Sequence, residues 1–248
     1  MHKVLDFIKK NKQFSFFLLL VILLALITIF APVIAPQDPY ASDLKNALQP
    51  PSSAHWFGTD KLGRDIFSRV IYASRSSLPA TLILVVLIFA IGTLLGTLAG
   101  YFGGWIDAVI MRISDMMISF PGMVLAIAVA GIMGASVKNA VIAVAVVSWP
   151  KYARLARSLV MKIRHEDYIY AAIVTGSKTS YILRKYMLPN VIPTLVITAA
   201  TDIGGMMLEL AGLSFLGFGA KAPAAEWGLM LNEGRTYMQN APWMMIYP

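Results

Sequence analysis

Tyr170-Ala171-Ala172-Ile173-Val174-Thr175-Gly176, followed by Tyr186-Met187-Leu188-Pro189, lies in a basic stretch, residues 151–187, between long uncharged runs. Tyr168, Ala171, Ala172 and Thr175 recur at helical spacing, so a short helix there would carry a face of small residues suited to a shallow groove. Gly176 can take the positive φ that ends such a helix. Ser177 or Thr179 can cap a second short helix, and Pro189 marks where a longer one resumes. A helix–glycine–helix of this kind is a docking knob for a partner. The same residues also read as an amphipathic helix held on anionic lipid by Lys and Arg.

Working outward, uncharged runs lie at 14–37, 76–106, 116–137 and 139–150, then from Tyr186 to Ala220 with Asp202 and Glu209 as interruptions. A helix of roughly 20 apolar residues crosses a bilayer. The 139–150 run is short, but Lys138, Lys151 and Arg154 can snorkel from its ends. Twelve of the 21 Lys and Arg fall in residues 1–13 and 151–187. Five spans counted from a cytoplasmic N-terminus put both segments on the same side, as the positive-inside bias requires. The expected organisation is therefore a basic cytoplasmic segment 1–13, a first span 14–37, an extracytoplasmic loop 38–75, and a membrane core 76–248. A sixth span starts near Pro242, and the sequence reads as truncated within it. Phe14 to Ala35 is too long for a signal-peptide core and lacks a clear small-residue cleavage site.

Composition narrows the function. Hydrophobic residues make up 58% of the 248 and charged residues 14%, against about a quarter charged in a soluble domain. The fold class is all-α and polytopic in the membrane. No cysteine and only three histidines leave no thiol catalysis and no histidine metal cage. The charge of +8 flanks apolar runs, which favours lipid over nucleic acid as its partner. Gly58-x4-Gly63 has the spacing of a phosphate-binding loop, but Arg64-Asp65 stands where that loop needs Lys and a hydroxyl. Gly92, Gly96 and Gly100, and likewise Ala126, Ala130 and Gly134, sit four apart and read as close-packing seams, within this chain or with a partner.

Three stretches together resemble the C-type permease subunit of nickel and dipeptide/oligopeptide ABC importers. They are Phe57-Gly58-Thr59-Asp60 through Arg69, the loop with Tyr170, Ala171, Ala172, Gly176, Leu188 and Pro189, and Leu213-Ser214-Phe215-Leu216-Gly217 through Glu226-Trp227-Gly228. Tyr170 stands where the family pattern has Glu, and Tyr186 where it has Ile. The resemblance implies a six-span permease fold and a bacterial inner-membrane location. It implies a second permease subunit, two ATP-binding subunits and an extracytoplasmic substrate-binding protein. ATP and Mg would sit on the partner subunits, so this chain itself binds no cofactor and is no enzyme. The loop around Tyr170 would then transmit ATP-driven closure.

Asp202, Met206 and Glu209 fall on one face of the fifth span. Intramembrane acids point by default to a polar pathway, although a bond to a neighbouring helix is the other reading. The stretch around Asp202 and Met206 resembles the nickel branch more than the dipeptide branch, so nickel, as ion or chelate, is the expected cargo and peptide the alternative. Asp60, Arg64, Asp65, Glu226 and Trp227 are candidates for a binding-protein docking rim, or are ordinary loop residues. Arg112 and Asp115, at i,i+3, are expected to pair along their own helix. Two other classes compete: an ion-coupled secondary transporter built on Asp202 or Glu209, for which no internal repeat is visible, and an intramembrane enzyme, for which no catalytic motif is present.

Overall fold

The computed structural model describes residues 11–248; residues 1–10, with most of the basic 1–13 segment, lie outside the described residues. Among the described residues there is no strand beyond one isolated bridge between Thr59 and Asp65. Helix α1, Lys12–Ile34, follows the first apolar run and stops where Ala35 turns extended, the conformation that Pro36 imposes on the residue before it. Helix α2, Ile66–Phe102, begins ten residues earlier than the run at 76 indicates. Asp65 explains the early start: its carboxylate accepts from the Ser68 backbone N–H at 2.8 Å and caps the helix.

The run at 116–137 is not one straight span. Helix α3, Gly104–Ser119, and helix α4, Gly122–Met133, meet at 96°. The break falls at Phe120, held extended by the proline that follows it. Nor is 139–150 a short span ending at Lys151. Helix α5, Val137–Arg164, runs unbroken for 28 residues through Pro150 and carries the first part of the basic segment as its second half. Two short elements follow, α6 (Asp167–Val174) and α7 (Thr179–Ile182), then a π-helical turn, Leu183–Met187, leading into α8, Leu188–Phe215. Helix α9, Trp227–Gly234, and the four-residue α10, Trp243–Ile246, complete the described chain. Three stretches are long and apolar enough to cross a membrane: α1, α2 and residues 179–215. Among the described residues the bent α3–α4 pair adds a fourth if it is counted as one broken span and not as a re-entrant loop.

The helices pack as two units. One comprises the chain up to Pro79 together with Ala222–Pro248; the other is Ala80–Lys221. The last residues of the expected 76–248 core thus group with the first loop instead. Ile66, Ala73, Met230 and Met244 form the core of the first unit.

In the second unit Leu84, Ile88, Val144, Tyr152, Leu195 and Leu213 are buried together. Helices α2 and α5 come close together within it. A Cβ on Gly92 would collide with Tyr152 and one on Gly96 with the Ala153 carbonyl, while one on Gly100 would lie 2.8 Å from the Arg157 carbonyl oxygen. The first glycine set is therefore a seam within this chain. In the second set Ala126 and Ala130 are buried, but Gly134 has φ +83° with open space around it and ends α4.

Replacing Gly96 by Val should overpack the seam and cost about 1–3 kcal/mol, read as a lower melting temperature of the detergent-solubilised chain. Gly131→Ala meets Phe218 at an ordinary 3.5 Å and should leave that temperature unchanged.

Candidate functional site

The loop between α5 and α8 is held in shape by its backbone. At the end of α6 the Gly176 N–H donates to the Ile173 carbonyl and the Ser177 N–H to the Ala172 carbonyl, both at 3.0 Å. With Gly176 at φ +79° this is the paired-bond helix ending that favours glycine. The second helix begins after Lys178 with no side-chain cap, so neither Ser177 nor Thr179 plays the expected capping part. Ile169 and Ala172 turn inward and are buried. Tyr170, Ala171 and Val174 face out, Val174 with 86% of its surface exposed. The small-residue face expected of Tyr168, Ala171, Ala172 and Thr175 is thus divided, with Ala172 anchoring α6 and Ala171 on its outer face. Tyr170 hydrogen-bonds through its hydroxyl to His165 Nδ1 at 3.0 Å. Leu188 and Pro189 open α8 directly after the π-helical turn, in which the Leu188 N–H donates to the Leu183 carbonyl, so the helix runs on from Thr179 and does not resume at Pro189.

Helix α5 places a series of cations against neighbouring helices. Arg157 makes a bidentate pair with Asp107 of α3, and Arg154 pairs with Asp115. Asp115 therefore reaches α5 and does not pair with Arg112 as the i,i+3 spacing indicates. Lys151 does not snorkel: its ammonium donates to both carboxylate oxygens of Asp202, at 2.7 and 2.6 Å. The buried Tyr152 donates its hydroxyl to the same carboxylate at 3.0 Å. Lys151 and Asp202 lie at the middle of their 28-residue helices, where an unpaired charge costs about 2.5–3.5 kcal/mol on an insertion scale. Of the other stripe residues, Met206 is buried and Glu209 is exposed. The sequence signal for the pair was there: an acid in one span needs a cation, and Lys151 begins the basic half of the neighbouring one.

In the first unit, four of the residues expected to form an outer rim, Asp60, Arg64, Asp65 and Glu226, are buried, and Trp227 is half-buried. Asp60 accepts from the backbone of Leu62 and Arg64 and from the Arg64 side chain. Arg64, 1% exposed, donates onward to Glu233 at 2.9 Å. Arg69 holds the carbonyls of Pro39 and Ala224 at 2.9 and 3.1 Å. Asp65 caps α2 and meets His55 at 3.0 Å. Glu226 caps α9 through the Gly228 and Leu229 N–H groups, and the Trp227 indole donates to the Val70 carbonyl. These are framework contacts joining residues 38–69 to 223–234. A loop without regular structure must meet its polar groups this way once it leaves water.

Arg64→Ala should leave Glu233 and Asp60 with the longer Arg69 contacts, at 3.6 and 3.7 Å, and cost about 3–5 kcal/mol, seen as loss of the chain from membranes. Lys61→Ala removes a partly exposed contact at 3.6 Å worth about 0–1 kcal/mol and should accumulate normally.

Comparison with known proteins accords with this architecture. A family profile described as "Binding-protein-dependent transport system inner membrane component" matches residues 92–246, and one described as "N-terminal TM domain of oligopeptide transport permease C" matches residues 2–51. The dipeptide transport system permease protein DppC of Alkalihalophilus pseudofirmus is 44% identical, over 97% of this chain and 79% of its own length. The nickel transport system permease protein NikC of Escherichia coli is 41% identical, over 93% and 83%. The glutathione transport system permease protein GsiD of Pectobacterium atrosepticum is 44% identical, over 93% and 77%. A solved structure of the MetNI methionine ABC transporter, inward facing, matches in fold with a TM-score of 0.57 at 20% identity, covering 72% of this chain and 86% of that one. The chain belongs to the binding-protein-dependent inner-membrane components, as a membrane-spanning C-type permease subunit of the peptide and nickel ABC importers.

Proposed function

We propose that this chain forms half of the translocation pathway of an ATP-driven importer in the bacterial inner membrane, with its N-terminus in the cytoplasm. A second permease subunit would supply the other half. Two separate ATP-binding subunits would hold ATP and Mg, and an extracytoplasmic binding protein would deliver cargo. The observation that carries this reading is α6: a short helix with an exposed Tyr170–Ala171–Val174 face, locked at Gly176 and anchored by Ile169 and Ala172. A face presented on a rigid two-helix turn can move only with the helices beside it. Closure of the nucleotide-binding pair against α6 would therefore be passed into α5 and α8. The residues 38–69 and 223–234, held by their buried charge network, would carry the surface on which the binding protein docks.

For cargo, nickel, as ion or chelate, and a dipeptide or oligopeptide are the two readings. Nickel rests on the Asp202–Met206–Glu209 stripe. The Lys151 ammonium on Asp202 weakens that support, and the names of similar proteins divide among dipeptide, nickel and glutathione.

Gly176 gives the sharpest test of the coupling role, because its surroundings are open and a substitution there acts through φ alone. A side chain in this region costs about 1–2 kcal/mol, least for Asn. Gly176→Val should reduce ATP-dependent uptake at least tenfold in cells, while Gly176→Asn retains most of it. Wild-type uptake by the valine variant would count against the coupling role. Parallel uptake of labelled nickel and labelled dipeptide, with and without this chain, separates the two cargo readings.

A further inference from the structure

The Lys151–Asp202 pair is not accounted for by packing. Arg154 and Arg157, further along α5, are taken by acids of α3, whereas Lys151 alone reaches an acid in the middle of a different long helix. The two partners also differ in freedom. Asp202 is fixed: its side chain is 15% exposed and carries a hydrogen bond from the buried Tyr152. Lys151 has 57% of its side chain exposed and a flexible four-carbon stem. Beside them α8 is open, since a Cβ on Gly205, three residues on from Asp202, would meet nothing within 4 Å. The nearby Thr198 and Thr201 hydroxyls are bonded back to their own helix. Lys151 and Asp202 are thus the paired charges that this open face offers at mid-helix, with the exposed Glu209 two turns further along α8. A charge left there facing hydrocarbon is unfavourable, so the face is expected to line a watered path.

We propose that Lys151 and Asp202 are a cargo contact for a small zwitterion with a free ammonium and a free carboxylate, as in a short peptide. This deepens, and rests on, the importer reading above. In the resting state the two residues neutralise one another. An arriving zwitterion exchanges that one pair for two: its ammonium meets the fixed Asp202 carboxylate, and its carboxylate meets the Lys151 ammonium as that side chain swings away. No net charge is created, so contact is weak and reversible, as transport demands. A bare divalent cation is disfavoured at the same place, because it would have to displace Lys151 and lie beside it.

The test uses the complete importer in proteoliposomes, with the second permease, the ATPase subunits and the cognate binding protein. Uptake of labelled alanyl-alanine, glutathione and Ni²⁺ is measured for wild type, Lys151→Met, and the double variant Lys151→Met/Asp202→Asn. Asn keeps an acceptor for the Tyr152 hydroxyl. A purely structural pair behaves in a known way: losing one partner is harmful, while neutralising both is well tolerated. A cargo contact is lost in both variants. The expected result is uptake of at least one of the two peptides by wild type. In the double variant that uptake falls at least tenfold, while binding-protein-stimulated ATP hydrolysis stays within twofold. Wild-type uptake by the double variant would overturn the proposal, as would its failure to assemble. Uptake of Ni²⁺ and neither peptide by the wild-type complex would also overturn it. A wild-type chain that does not assemble with an ATPase, or takes up nothing in response to ATP, is a different result and removes the importer reading itself.

Discussion

Close backbone contact along Gly92, Gly96 and Gly100 sets where α5 runs, and α5 carries most of what the second unit presents. Lipid gives two apolar helices little reason to associate, so contact has to come from packing at short range. With no side chain on those three positions, α2 lies directly against Ala153, Ala156 and Val160. That fixes the rotation of α5 about its axis. Lys151 and Tyr152 then point at Asp202, Arg154 and Arg157 point at α3, and the end of the helix delivers α6.

Charge pairing is the second constraint, and it divides by environment. In the first unit the Asp60–Arg64–Glu233 set joins sequence-distant segments that have little regular structure to hold them. Its strength lies in mutual satisfaction, since each group would be costly alone. In the second unit the ion pairs run between helices, and only Lys151–Asp202 lies at mid-helix with one partner left largely exposed. The first arrangement is suited to permanence and the second to exchange.

Much of this was legible in the sequence, for reasons that can be named. The turn after α6 was readable because Gly176 needs a backbone conformation that other residues resist, whereas Pro189 misled, since the helix runs on from Thr179 and does not resume there. The glycine seam was readable from its four-residue spacing. The bend at Phe120–Pro121 and the early start of α2 at Ile66 were harder. Both depend on local caps and a pre-proline residue inside stretches that hydropathy smooths over. The pairing of Lys151 with Asp202 needed knowledge that α5 continues past Pro150, since a helix ending there would have left Lys151 at an interface. Asp60, Arg64 and Asp65 looked like surface residues because charge in a loop usually is. Their burial follows from residues 223–234, more than 150 positions away, and no local pattern reports it.

On the proposed coupling role, α6 meets the ATP-binding subunit with Tyr170, Ala171 and Val174 outward and Ala172 inward. The chain has no cysteine, so a single Val174→Cys variant carrying a photoactivatable benzophenone reports contact without ambiguity. Illumination of the assembled importer should join this position to the ATP-binding subunit. Cross-links only to lipid or to the second permease, in a complex that still hydrolyses ATP and takes up cargo, would contradict the account.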